Sequence, residues 1–323
     1  MKKLLLAIVA TVLSVGAAEL VAARQKLPRI QSVRDARTAG FSVYKGVPLW
    51  EMDAKGVLQR QNRECVSSDP EGRADVLLLG DSIFHGVRLL PEETLGAQLS
   101  DRLDKLLGRS TCIVNLSEPG YAFQNEKAVA ERDMADIKPR IVLLQIWGNT
   151  ANQYKLIADR AYNFGSLETD ERGLPPVKWV SGGINEWLFS HSALWRHFNI
   201  RSARRRSGPM SDVWREMLRT EMDPFYRWVE AQGAVLMLAY PTNLASPFAE
   251  PRNGELSLYP VIQAWAEEND LATMYFQEVF KDDDFKEVRL DPCCHLNAVG
   301  TEKIADAMAP WLAEVLQPDA PAD

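Results

Sequence analysis

The chain has 323 residues, 46% hydrophobic and 25% charged, with 19 Gly, 18 Pro and 9% aromatics. This is the balance of a globular protein, which excludes collagen, coiled-coil and low-complexity chains. Its 37 Lys+Arg against 44 Asp+Glu give a net charge of −7, a field that repels a phosphate backbone, so nucleic acid is not an expected partner.

Met1–Ala23 places Lys2 and Lys3 before the apolar run Leu4–Val15 and then small residues, the layout of a secretory signal, and implies export to the periplasm or beyond. Val15 and Ala17, or Val21 and Ala23, suit a peptidase that needs small side chains just before its cut. Left uncut, Leu4–Ala23 approaches the roughly 20 apolar residues that span a bilayer, although Glu19 is costly at that depth. Cleaved signal and retained membrane anchor both remain open.

Arg24–Arg73 mixes charges with Pro28, Pro48 and Pro70 and shows no sustained period, so it reads as an arm or linker. From residue 74 a regular alternation begins. Asp75-Val-Leu-Leu-Leu-Gly80 is a short apolar run ended by Gly, the pattern of a strand buried on both faces. Glu92–Leu107 follows with Leu95, Leu99, Leu103 and Leu106 at helical spacing. Thr111–Asn115 reads as a strand, Phe123–Ile137 as a helix and Ile141–Ile146 as a third strand. Thr150–Pro209 interrupts the rhythm with Gly173-Leu-Pro-Pro176, Gly182, Gly183 and the aromatics from Trp187 to Phe198, and reads as a helical insertion over about 150–210. Trp214–Gln232 is a helix, Ala234–Ala239 a strand, and Ser257–Asn269 and Asn297–Leu316 are two more helices; 319–323 are a short tail. Strands alternating with helices predict one α/β domain over 74–318, a three-layer α/β/α arrangement with a central parallel sheet.

In such sheets ligands bind at the carboxyl ends of the strands, which is where Ser82 falls, in Leu79-Gly-Asp-Ser-Ile83. A serine hydroxyl needs a histidine within reach to take its proton, and the chain has four. His85 is too near in sequence to be oriented independently and reads as a surface loop residue. His191 and His197 lie on the aromatic stretch of the insertion and read as packing or surface residues. His295 follows Asp291-Pro-Cys-Cys294 in the loop before the last helix, where a carboxylate can accept a hydrogen bond from Nδ1 and leave Nε2 facing the serine.

The cysteines Cys65, Cys112, Cys293 and Cys294 are even in number, so one or two disulfides are expected in an oxidising compartment, with connectivity open and a bond from the Cys293–Cys294 pair to Cys65 or Cys112 among the alternatives. Adjacent cysteines lack the spacing of about two to four residues that paired zinc ligands use, so no metal and no cofactor are expected. Arg201–Arg206, with Arg196 and His197 before it, is a basic island in an acidic chain, either a solvated face or a site for an anionic glycan or lipid headgroup.

Gly80-Asp-Ser-Ile83 resembles the first block of the GDSL or SGNH hydrolase superfamily, with Ile for the usual Leu. Glu118-Pro-Gly120 after the second strand, Trp147-Gly-Asn149 after the third and Asp291–His295 resemble its second, third and fifth blocks, in order, over about Asp75–Leu316. The resemblance implies a flavodoxin-like sheet, Ser82 as nucleophile, His295 as general base, Asp291 as its orienter, and an oxyanion hole from the Ser82 and Gly120 backbone N–H groups and the Asn149 side chain; Asp81 is implied to hold the loop. Three residues separate Asp291 from His295 where the family has two, Gly148 directly precedes Asn149, and Thr150 stands for a common Asp. The implied activity is cleavage of an oxygen ester, an acyl or acetyl group on a small molecule, carbohydrate or lipid. Transfer of the acyl group to a glycan by the same residues is one rival, and a non-catalytic polysaccharide-binding or assembly module of the envelope is another.

Overall fold

The computed structural model describes residues 2–24, 32–35, 41–45, 47–50, 64–147, 150–151, 154–157, 160–163, 167, 169–170, 172, 174–206, 210–241, 259–291 and 294–317. The chain forms two compact units, Met1–Thr38 with Asn152–Val213, and Ala39–Ala151 with Trp214–Asp323.

The larger unit is built on five parallel strands, β1 Val76–Leu79, β2 Ile113–Asn115, β3 Ile141–Gln145, β4 Val235–Tyr240 and β5 Thr273–Tyr275. Their order across the sheet is β2-β1-β3-β4-β5, the flavodoxin-like order, in which the chain reverses its winding direction between β1 and β3. Every residue of β1, β2 and β3 is buried, which is why these runs are apolar throughout instead of alternating. Helices α1 Leu95–Leu107 and α3 Ala298–Leu316 cover one face: Leu95, Leu99 and Leu103 share a core with Ile304, Met308, Leu312 and the alternate sheet residues Val76, Leu78, Ile141 and Leu143. Helix α2 Phe123–Ile137 packs on the sheet through Ala128, Val129, Met134 and Ile137.

The strand β5 was not expected. It has three residues, all half-buried at the sheet edge, so it carries no apolar run to read. The helix expected over Trp214–Gln232 is in three parts, Met210–Met217, a π turn Leu218–Met222, and Asp223–Ala231. Pro224 explains the break, because it has no N–H and its ring crowds the preceding turn. The Asp223 N–H reaches back five residues to the Leu218 carbonyl, the widened loop that relieves such a clash. Within the expected arm, Phe41–Tyr44 and Val47–Trp50 form an antiparallel hairpin whose Leu49 is fully buried.

Asp75 enters β1 with 2% exposure, and its carboxylate accepts from Arg109 Nη2 at 2.6 Å, Arg109 Nη1 at 3.0 Å and the Cys112 N–H at 2.8 Å. Beside this clamp Cys112 is bonded to Cys65. The connectivity left open by the sequence therefore ties the segment before β1 to β2, and neither Cys65 nor Cys112 holds the His295 loop; Cys294 is itself disulfide-bonded, while Pro292 and Cys293 lie outside the described residues. The Cys65–Cys112 bridge closes a separation of 47 residues. Replacing both by serine is expected to cost about 2–4 kcal/mol of stability, measured as a lowered urea midpoint with a slope that is no smaller, because the freed unfolded chain exposes more surface; an unchanged midpoint contradicts a structural role.

The smaller unit takes in the insertion over about 150–210 that the sequence predicts as helical. It contains helices Gly182–His191 and Ala193–Arg206 and the N-terminal helix Lys2–Arg24, but also an antiparallel sheet in the order Ser32–Asp35, Arg160–Asn163, Tyr154–Ile157. Four-residue strands paired with a partner more than a hundred residues away leave no local periodicity to read. The unit has a small core of Leu167, Leu174, Phe189, Ile200 and Ala203, and buries Asn185 and Asn199, whose side-chain amides both donate to the Pro175 carbonyl at 3.1 Å.

Candidate active site

Ser82 is the first residue of a one-turn helix, Ser82–His85, that leaves the carboxyl end of β1. Asp81 caps it, its carboxylate accepting from the Ile83 N–H at 2.9 Å. Gln145, the last residue of β3 and 1% exposed, locks this turn from below. Its Nε2 donates to Asp81 Oδ1 at 2.6 Å, and its Oε1 accepts from the Phe84 N–H at 3.1 Å. Gly80 is needed for this approach, since a Cβ there would fall 2.7 Å from Gln145 Oε1 and 2.8 Å from its Cβ. Asn115 closes the other side, donating from Nδ2 to the Phe84 carbonyl at 2.8 Å. Each of these bonds is inaccessible to water, so the hydroxyl of Ser82 is carried on a rigid turn.

His295 and Asp291 lie in the loop between Phe285–Val288 and α3. The loop is closed by the Leu290 N–H donating to the His295 carbonyl at 2.8 Å and by a bridge between Arg289 and Leu296. Asn297 caps α3 through the Gly300 N–H at 2.9 Å. His295 Nδ1 is 2.5 Å from Asp291 Oδ2, and His295 Nε2 is 2.9 Å from Ser82 Oγ. The three side chains form one hydrogen-bonded line. Despite the extra residue between Asp and His, the pair meets, and Asp291 Oδ1 also accepts from the Cys294 N–H at 3.2 Å. Asp291 and His295 are about a quarter exposed, at 24% and 26% of their side chains, so the line opens toward solvent instead of being sealed in the core.

Gly120 stands at the third position of the turn Glu118–Tyr121, which is closed by the Tyr121 N–H donating to the Glu118 carbonyl at 3.0 Å. Its φ of 84° after Pro119 is the pattern of a type II turn, which favours glycine there. The Glu118 N–H donates to the Gly80 carbonyl at 3.2 Å, so this turn is fastened beside the one that carries Ser82. Asn149, with Gly148, lies outside the described residues. Next to them, Thr150 Oγ1 accepts from the Trp147 N–H at 2.8 Å.

His85 differs from its expected place on the surface. It is 4% exposed, with Nδ1 3.0 Å from the Ser117 carbonyl and 3.9 Å from Glu118 Oε2, because the helix Ser82–His85 turns it inward under the loop. His191 is exposed and stacks on Trp187 at 5.1 Å, and His197 bonds the Ala22 carbonyl at 3.2 Å. Gln145 and Asn115 escaped the sequence reading. Their signal was present, as the single polar residue closing each of two otherwise apolar strands.

Glu126 on α2 is 1% exposed, and its Oε2 has no hydrogen-bond partner among the described residues. Burial, reinforced by the nearby Asp81 carboxylate, pushes its pKa well above the usual carboxyl range. The folded protein therefore holds this proton at pH values where the unfolded chain has released it, so stability falls as pH rises above about 4.3. Glu126→Gln, neutral at every pH, is expected to raise the melting temperature at pH 8 while changing it little at pH 4. Equal shifts at both pH values contradict a protonated Glu126.

The chain matches no family model and no curated protein significantly. Among solved structures it is similar to one described as TesA, at 17% identity over 74% of this chain and 98% of that one, with a TM-score of 0.47. An acetyl xylan esterase, AlAXEase, is 16% identical over 73% and 98%, with a TM-score of 0.46. An alpha/beta hydrolase enzyme from the metagenome of Lake Arreo, Spain, is 16% identical over 76% and 98%, with a TM-score of 0.48.

Proposed function

We propose that this chain is an exported serine hydrolase of the GDSL or SGNH type that cleaves an oxygen ester through an acyl-serine intermediate. The observation that carries the reading is the line Asp291–His295–Ser82, with both hydrogen bonds in place at the carboxyl end of a parallel sheet. In the first step Ser82 Oγ attacks the ester carbonyl while His295 Nε2 takes its proton, and Asp291 stabilises the imidazolium through Nδ1. The carbonyl oxygen becomes negative. Donors for it are the Ser82 N–H, which has no intrahelical acceptor at a helix start, the Gly120 N–H and the Asn149 amide; one such donor is worth about 3–4 kcal/mol. Collapse expels the alcohol, which takes the proton from His295 and leaves the acyl group on Ser82. Water, deprotonated by the same His295, then releases the acid and restores the serine.

Export is supported by Lys2 and Lys3 before the apolar run and by the Cys65–Cys112 disulfide. A carbohydrate ester is supported by a row of half-buried aromatic rings at the carboxyl ends of β3, β4 and β5. Trp147 lies 6.4 Å from Tyr240, Tyr240 lies 6.0 Å from Tyr275, and Tyr275 lies 4.7 Å from Tyr259. Such rings offer flat faces to the C–H faces of a sugar. The test is release of acetate from an aryl acetate and from an acetylated oligosaccharide, each with and without an unacetylated glycan present. Hydrolysis that proceeds without the glycan is the expected result; release that requires it assigns acyl transfer, and no release from either ester sinks the enzymatic reading.

A further inference from the structure

Among the described residues, the N-terminal helix Lys2–Arg24 meets its own unit near its end. Ala22 is buried, and Glu19 reaches the start of the helix Ala193–Arg206, where its carboxylate accepts from Ser192 Oγ at 2.8 Å, from the Leu194 N–H at 3.1 Å and from the Ala193 N–H. His197 Nε2 adds a bond to the Ala22 carbonyl at 3.2 Å. Burial works to raise the Glu19 pKa, but the bonds from Ser192, Ala193 and Leu194 and the charge of Arg196 outweigh it and hold the carboxyl below its usual range. This gives the charged residue inside the apolar segment a structural purpose, the capping of a neighbouring helix. A segment discarded at export has no need of such a cap.

Residues 10–17 are exposed on every side, with Val12, Leu13 and Val15 at 63%, 68% and 53%. A helix apolar all round belongs in a core or in lipid, and a protein partner would cover one side of it while acyl chains cover all. Beside its attached end the unit exposes Trp179 at 71%, Trp187 at 60%, Ile184 at 56% and Phe198 at 45%, and Trp179 packs on Trp195 and Phe198 at 5.6 and 6.1 Å. Exposed tryptophans next to an apolar helix are the residues that settle at a bilayer–water interface. The helix Ala193–Arg206 carries Arg196, Arg201, Arg204, Arg205 and Arg206 and no acid, a cation surplus suited to anionic headgroups in an otherwise acidic chain.

We propose that the unit formed by Met1–Thr38 and Asn152–Val213 docks on a phospholipid bilayer. The N-terminal helix is retained in the mature protein and buried among acyl chains, Trp179, Trp187 and Phe198 lie in the interface, and the arginine-rich helix faces anionic headgroups. The proposal rests on the export reading above.

The experiment uses the full chain with a carboxyl-terminal tag, produced in a secreting bacterial host. The exported protein is weighed by intact mass and floated with vesicles of phosphatidylcholine, with and without phosphatidylglycerol. The expected mass includes residues 2–24, the protein floats with the vesicles, and phosphatidylglycerol increases the floating fraction. The triple variant Trp179→Ser, Trp187→Ser, Phe198→Ser is expected to bind at least tenfold more weakly, at unchanged aryl acetate turnover, and the wild type's tryptophan emission should shift to the blue on adding vesicles. A mature chain that starts after residue 17 or 23 overturns the proposal, as do equal flotation of wild type and variant or a stable dimer that buries these tryptophans without lipid. Loss of ester turnover with flotation intact would instead strike the esterase reading, and recovery of the uncut chain from the cytoplasm would strike export.

Discussion

Ser82→Ala is expected to lower kcat for an aryl acetate by roughly six orders of magnitude while leaving thermal stability within about 0.5 kcal/mol of the wild type. Ser82 is half-buried and its hydroxyl bonds His295, whereas the turn that carries it is held by Asp81, Gln145 and Asn115. Removing Oγ therefore takes away the attacking atom and almost no packing. His295→Ala should fall nearly as far, and the double variant no further, because a nucleophile without its base and a base without its nucleophile are equally idle. Turnover retained in Ser82→Ala would remove the serine from the chemistry.

Asp291→Asn is expected to cost about 10⁴-fold in kcat with little change in KM. The carboxylate accepts from Nδ1 at 2.5 Å, which places the free lone pair on Nε2, toward Ser82. An amide in its place can donate to Nδ1, moving the ring proton to Nε2 and leaving nothing there to accept the serine proton. The variant should keep its fold, since Asn can still accept from the Cys294 N–H as Asp291 Oδ1 does. Activity near that of the wild type would reduce the machinery to Ser82 and His295 acting as a pair.

The strands β1 to β3 were legible in the sequence because burial on both faces makes them short, unbroken apolar runs. The structure brings Ser82, His295 and Asp291 together, and each could be found by its position at the end of such a run or in the loop before the last helix. What escaped notice depended on distant partners. The edge strand Thr273–Tyr275 and the antiparallel sheet of the smaller unit take their form from pairing across the chain, not from local pattern. His85 was misplaced because a one-turn helix, capped by Asp81, rotates it inward, and no periodicity shows over four residues. The disulfide Cys65–Cys112 could not be chosen among the possible pairings without knowing that the segment before β1 runs beside β2.

The central claim is that Ser82 is a nucleophile activated by His295, and the most direct measurement is covalent labelling by an alkyl fluorophosphonate followed by peptide mapping. The account predicts one adduct per chain, on the peptide that contains Ser82, formed at a rate that drops sharply in His295→Ala and is absent in Ser82→Ala. Labelling of folded protein at another residue, or none at all, would contradict it.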